Sequence, residues 1–300
     1  MSINLYKLKK WTKMIFGKSI YHVNQDGGKI YSKDEIKGYY NNLTEKVIKN
    51  KDYGKEIPII YTDNGNRVYF SIAIFQYGLG AYDLYLLQGD VVMIEKVKAV
   101  ADWAVQNQQK DGSWVTFEFE NPDHPYSSMA QGEGISILLR AYILTSNKSY
   151  LNAAHKAYQF MIKPLSEGGT AKYDLDDIYF YEYTEEPLIL NGWIFSIWGI
   201  YDYYKITRDI KVKKILDKTL VTLTQTLGKF DSGYWSMYDL GGRITSPFYH
   251  NLHIAQLKVM YDLTGNDSFK FYHDKWLDYQ NSKIKFIKSF CYKAYQKVME

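Results

Sequence analysis

A single cysteine, Cys291, stands in the 300 residues. That excludes an internal disulfide framework and suits a reducing compartment. No apolar run approaches 18 residues, so no spanning helix is expected. There is no HExxH and no cysteine pair. The histidines outside "YHNLH" are scattered at positions 22, 124, 155 and 273, which argues against a zinc centre at His250 and His253. A G-x-S-x-G elbow is missing, and so is a glycine-rich loop behind a strand; hydrolase-triad and nucleotide chemistry lose their usual carriers. The net charge of +4 comes without the dense Lys/Arg clustering of a nucleic-acid binder.

What the chain does have is apolar content, 46%, enough for a large core, and 30 tyrosines. Tyrosine has an apolar face and a hydroxyl tip, which suits both helical cores and sugar-holding clefts. The N-terminus, "MSINLYKLKKWTKMIFGKSI", has no continuous apolar segment or cleavage site of a signal peptide. As a helix it sets Leu5, Leu8, Trp11 and Ile15 on one face, with Lys7, Lys9, Lys10 and Lys13 around the other. This fits a helix docked on the domain or one lying on an anionic membrane. The expectations are an N-terminal basic helix and extended segment over 1–66 packing on a catalytic domain over 67–300, and a cytoplasmic location with peripheral contact at the inner membrane face.

Four segments look alike: "YLLQGD" from Tyr85, "YILTSN" from Tyr142, "YKITRD" from Tyr204 and "YDLTGN" from Tyr261, spaced 57, 62 and 57 residues apart. Self-similarity at this period marks stacked supersecondary units. Each copy ends an apolar helix, breaks at a small polar turn and starts a second helix behind an Asn, Ser or Asp cap. The unit is a helical hairpin. First helices such as "GWIFSIWGIYDYY" are apolar nearly all round, so they are buried on both sides. The pattern predicts an all-α fold: an incomplete α/α toroid of about four hairpins, with short β-hairpin loops on one rim. At Asn147 and Asn266, sequons coincide with helix caps, and capping is the better explanation.

Three long connections lead from a second helix to the next first helix, and in a toroid they emerge on one rim, where function usually sits. The first, "QKDGSWVTFEFENPDHPYSSMAQGEG", has a turn at Asp111-Gly112 followed by strand-like alternation. The second, "GGTAKYDLDDIYFYEYTEEPLILNGW", is acidic and aromatic; the third is "GKFDSGYWSMYDLGGRITSPFYHNLH". Glycoside hydrolysis needs two carboxylates across a sugar. Asp174, Asp176, Asp177, Glu182, Glu185 and Glu186 all lie in one loop, with Asp231 and Asp239 in the next. Proton abstraction beside a carboxylate, as at C5 of a uronic acid, needs instead a base, donors or a cation on the carboxylate, and shelter from water. A tyrosine of depressed pKa would serve, and Tyr249, at a helix start with His250 or His253 tuning it, is the candidate.

In order along the chain, "IFQYGLGAYDLYL", "YSSMAQGEGISILLRAYILT", "YEYTEEPLILNGW", "DSGYWSMYDL" and "YHNLHIAQL" resemble the C-terminal catalytic domain of D-glucuronyl C5-epimerases. These enzymes convert D-glucuronate to L-iduronate within heparosan-type glycosaminoglycans. The resemblance covers about residues 70–282. It implies an α/α toroid that needs neither cofactor nor metal, and a uronate-bearing acidic polysaccharide as partner. A homodimer is an accompanying expectation. It implies Glu182 and Tyr249 as base and acid on opposite sugar faces, with Tyr183 and Tyr238 close by. Ser128, Met129, Ala130, Gln131 and Asn191 map to the substrate-contacting stretch; Gln76, Trp114, His250 and His253 join them as candidate substrate-binding residues. Two positions depart from the animal pattern. Gly241 stands where an arginine binds the uronate carboxylate, with Arg243 two residues on to take its role, and Phe195 stands where a tyrosine is expected. A uronate lyase of the same fold and a glycan-binding homologue without turnover are the rival readings.

Overall fold

The computed structural model describes residues 23, 25–50, 57–62, 65–185 and 187–299. The basic N-terminal stretch 1–20 and Glu186 lie outside them. Four helical hairpins follow one another: α2 (Ser71–Gln88) with α3 (Val92–Asn107), α4 (Ser128–Thr145) with α5 (Lys148–Met161), α6 (Leu190–Thr207) with α7 (Ile210–Thr226), and α8 (Pro247–Thr264) with α9 (Asp267–Asn281). A short helix, α1 (Thr44–Ile48), precedes them and α10 (Lys283–Met299) follows. The inner helices α2, α4, α6 and α8 pack in series, each covered by its own second helix. This is the incomplete α/α toroid.

The repeat works through one turn geometry used four times. The fifth residue of each copy, Gly89, Ser146, Arg208 or Gly265, is left-handed, with φ of 70, 57, 52 and 68°. Its N–H returns to the carbonyl of the copy's tyrosine, Tyr85, Tyr142, Tyr204 or Tyr261, at 2.7–2.9 Å. The sixth residue then caps the outer helix. Asp90 accepts from Val92 N–H, Asn147 from Ser149, Asp209 from Lys211 and Asn266 from Ser268. Such caps contribute about 1 kcal/mol each. Holding Ser146 and Arg208 left-handed costs roughly 1–2 kcal/mol apiece, which glycine avoids in the other two turns.

Residues 25–50 run along the inside of the ring. Near their start Tyr31 donates to Asp262 of α8 at 2.6 Å. Further on, Arg140 of α4 donates to the carbonyls of Lys37 and Gly38, and Tyr39 N–H reaches Asp83 of α2 at 2.8 Å. Tyr40 donates to Asp202 of α6 at 2.6 Å. All four inner helices thus touch this strap, which fills the C-terminal half of the ring. Its passage depends on Gly80 of α2, where a Cβ would collide with the Leu43 carbonyl.

The strands are short. β1 (Ile60–Tyr61) pairs antiparallel with β2 (Arg67–Val68), and β3 (Ala171–Asp174) pairs with β4 (Asp177–Phe180). The alternation in "WVTFEFE" forms no ladder among the described residues. After the Asp111-Gly112 turn, the N–H groups of Thr116 and Phe117 both close on the Pro125 carbonyl, so the segment folds back on itself.

Candidate active site

The first turns of all four inner helices open onto one cavity of about 400 Å³, a size typical of small-ligand sites, roughly 300–1,000 Å³. Ile72, Ala73 and Gln76 come from α2, Met129 from α4, Asn191 and Phe195 from α6, and Phe248, Tyr249 and Leu252 from α8. The three rim connections and the strap complete it.

Strand β4 delivers the carboxylate. Past Phe180 the chain stays extended, held by Tyr181 N–H on the Thr170 carbonyl and by Ser128 N–H on the Tyr181 carbonyl. Glu182 and Tyr183 are thereby carried over the mouth of the ring. Glu182 settles against the first turn of α6, and only glycine fits beneath it, because a Cβ at Gly192 would strike its carboxylate. It is 7% exposed and receives one long bond, 3.4 Å, from Asn191 Nδ2. Burial, then the nearby Glu120 charge, push its pKa up to about 8, against the opposing pull of Arg243 and the Asn191 amide.

Three tyrosines surround it. Tyr183 stacks on Phe117, with ring centres 3.9 Å apart, and donates to Glu120 Oε2 at 3.0 Å. Tyr238 is carried by the third connection, which bridges back to Ile189 just ahead of α6. Its ring meets that of Tyr249 edge-on at 5.1 Å. Tyr249 sits in the first turn of α8, set by Pro247 and the Ser246 cap. Burial, reinforced by the Glu182 charge, raises the pKa of all three. They stay protonated near neutrality. The expectation of a tyrosine with a depressed pKa is corrected: burial and the Glu182 charge outweigh the opposing charge of Arg243 at Tyr238, and these phenols are donors.

Not every sequence candidate reaches the cavity. Glu182, Tyr183, Tyr238, Tyr249, Asn191, Met129 and Gln76 line it; the others have structural duties. Gln131 donates to the carbonyls of Gly112 and Ala157 and accepts from Trp114 N–H. Trp114 is core, its indole N–H on the Ala104 carbonyl at 2.8 Å, and Ala130 is fully buried. Ser128 takes a bond from Ser196 at 2.8 Å. His250 stacks on Trp235 with ring centres 3.6 Å apart, and both His250 and His253 turn their Nδ1 to Ser236. Burial holds the first near pKa 3 and the second well below its usual value. They are neutral core groups on the far side of α8 and do not tune Tyr249. Arg243 pairs with the buried Asp239 and lies over the Tyr238 ring; it acts on the site through its field rather than as part of the lining.

Sequence reasoning missed Lys46, Glu120, Gln25 and Phe248, all in the lining. Glu120 carried a signal in the alternation of "TFEFE". Lys46 carried none, because its segment was expected outside the ring.

Fold and site together define an α/α toroid with a buried acid and a set of protonated phenols at the N-terminal ends of its inner helices. Residues 106–278 match the family described as D-glucuronyl C5-epimerase C-terminus, and the chain belongs to that family. It is 27% identical over 214 residues to the D-glucuronyl C5-epimerase of Caenorhabditis elegans, covering 62% of this chain and 35% of that protein. The chain therefore spans about a third of that relative's length. Among solved structures it is similar to an unsaturated glucuronyl hydrolase from Streptococcus agalactiae, with a TM-score of 0.46 and 14% identity over 79% of this chain and 59% of the other. It is also similar to a glycoside hydrolase family 76 mannosidase from Bacteroides thetaiotaomicron, with a TM-score of 0.45 and 16% identity over 69% and 57%. No helix among the described residues is long and apolar enough to cross a membrane.

Proposed function

We propose that this protein inverts C5 of D-glucuronate to give L-iduronate within a heparosan-like acidic polysaccharide. The observation that carries the proposal is the convergence of Glu182 and Tyr249 on one cavity in a chain of this family. Glu182, in its carboxylate form, takes the C5 proton and leaves an electron pair delocalised into the uronate carboxylate. Tyr249 then delivers its phenolic proton to the opposite face of C5; Glu182 releases the proton it took to solvent, and the Tyr249 phenolate recovers one from water, which restores both groups. The two pKa values suit these roles: a base near 8 is close to working pH, where general bases are most effective, and a raised phenol is held ready to donate. Tyr238 holds the Tyr249 ring edge-on, and Tyr183 is fixed by Phe117 and Glu120. The surrounding aromatic wall excludes water from the carbanion.

Incubation with heparosan, and separately with its N-sulfated form, in heavy water tests this. Deuterium at C5 together with iduronate signals in the NMR spectrum is the expected result, and the polymer that reacts defines the substrate. A product absorbing in the ultraviolet instead would mark elimination at C4, a lyase. Binding without exchange would mark a glycan-binding protein.

A further inference from the structure

The lining of the cavity carries two carboxylates, Glu120 and Glu182, and among the described residues a single cation, Lys46. An acidic sugar entering beside two acids in a low-dielectric cavity meets repulsion unless a positive charge faces it. Arg243 is committed to the buried Asp239 and is not in the lining. Lys46 belongs to α1 and is held by the strap. Its N–H returns to the Leu43 carbonyl at 3.0 Å, and its own carbonyl accepts from Asn50 Nδ2 at 2.6 Å. The helix is pressed on α2 at Gly80. The residue is only 9% exposed, so its ammonium is placed by the fold rather than by solvent.

Behind it lies Glu133 of α4, fully buried, with one oxygen bonded to Gln76 Nε2 at 2.8 Å and Oε2 with no partner among the described residues. Burial pulls the Lys46 pKa down to about 8, and the Glu133 charge pushes it back up. Burial in turn raises the Glu133 pKa well above the ordinary carboxylate value, against the opposing effects of the Gln76 bond and the Lys46 charge.

We propose that Lys46 binds the carboxylate of the hexuronic acid occupying this cavity, and so makes the site select uronate over neutral sugar. This rests on the uronate reading above and assigns the cation for it. An ammonium on the carboxylate favours the anionic sugar in the ground state. It also stabilises the charge that flows into that carboxylate when C5 loses its proton.

The experiment compares binding of a heparosan oligosaccharide with that of its carboxyl-reduced counterpart, by titration calorimetry, for the full chain and for Lys46→Met and Lys46→Arg. A charged hydrogen-bonding group of this kind is worth roughly 10–100-fold in affinity. The expected result is a loss of that size for the uronate ligand in Lys46→Met, unchanged affinity for the reduced ligand, and a partly restored preference in Lys46→Arg. Equal weakening of both ligands would show a role in folding alone, and a preference that survives in Lys46→Met would remove Lys46 as the carboxylate partner. Either outcome overturns the inference. If Lys46→Met does not fold, Lys46→Gln is read in the same way. C5 deuterium exchange by the unaltered protein separates the two levels. No exchange sinks the epimerase reading, whereas exchange with an unaltered preference in the variant sinks Lys46 only.

Discussion

The two ends of the inner ring are built from the same residue types and differ in how completely the buried carboxylate at each is paired. At the C-terminal end, Asp202 accepts from both Arg140 and Tyr40 at 2.6 Å, and Tyr40 in turn accepts from Lys205 at 2.9 Å. Arg140 also donates to the carbonyls of Ser136, Lys37 and Gly38. At the N-terminal end, Glu182 has one long bond, and the buried oxygens Asn191 Oδ1 and Glu133 Oε2 have no partner among the described residues. A satisfied buried network fixes one structure; a buried group left unsatisfied destabilises the fold and survives where chemistry uses it. The contrast lies between the two carboxylates and does not sort every tyrosine: Tyr39 of the strap has a buried hydroxyl with no partner among the described residues, whereas Tyr183 at the site donates to Glu120.

The largest effect expected from breaking this contrast is at Glu182. Removal of a general base lowers rates by about 10²–10⁴-fold, so Glu182→Gln should abolish C5 deuterium exchange at the NMR detection limit while the circular dichroism spectrum stays that of the parent. Retained exchange would dismiss Glu182 as the base. At the other end, Arg140→Met leaves the buried Asp202 without its cation and with only the Tyr40 hydroxyl among the named donors, and breaking such a buried pair costs about 3–5 kcal/mol. Urea unfolding should show that loss. A midpoint within experimental error of the parent would mean the strap is not held by this pair.

Tyrosine for phenylalanine tests the two ends with one chemical change. Tyr249→Phe should slow exchange about 100-fold and leave the unfolding midpoint nearly unchanged. Tyr40→Phe should do the reverse: it leaves partners on Asp202 and Lys205 unmade, costs about 1–3 kcal/mol, and keeps exchange within a few-fold of the parent. If both variants lose stability and neither loses rate, the N-terminal tyrosines are core residues too.

Much of this was legible beforehand because it repeats. Tyr85, Tyr142, Tyr204 and Tyr261 each end an inner helix with the same left-handed turn and the same cap, and periodicity exposes such a pattern without any knowledge of contacts. Glu182, Tyr183, Tyr238 and Tyr249 were legible through motifs. His250, His253, Gln131 and Trp114 sat in the same motifs, yet their polar atoms turn to Ser236, to loop carbonyls and to the Ala104 carbonyl. A motif does not say on which side of a helix a polar group finds its partner. Lys46 was illegible for a topological reason. Nothing local in "NNLTEKVIKN" tells that the segment threads the ring.

The smallest expected effect turns the comparison into a pH dependence. Glu182 moves from its ordinary 4.5 to about 8 on folding. A raised carboxyl binds its proton more tightly in the native state, so its contribution to stability is fully present below about 4.5 and is lost as pH rises through 8. Glu182→Gln removes that loss. The variant should unfold with the parent at pH 4 and be more stable than the parent by at least about 1 kcal/mol at pH 8.5, read as the difference in urea midpoint at constant m. In the Arg140 network the guanidinium stays charged throughout this range, and Lys205, its pKa lowered to about 8 by burial, is common to parent and variant and cancels in the comparison. A parent and variant that track each other from pH 4 to 8.5 would mean that Glu182 ionises without penalty, and the distinction between a paired and an unpaired end of the ring would then rest on Asn191 and Glu133 alone.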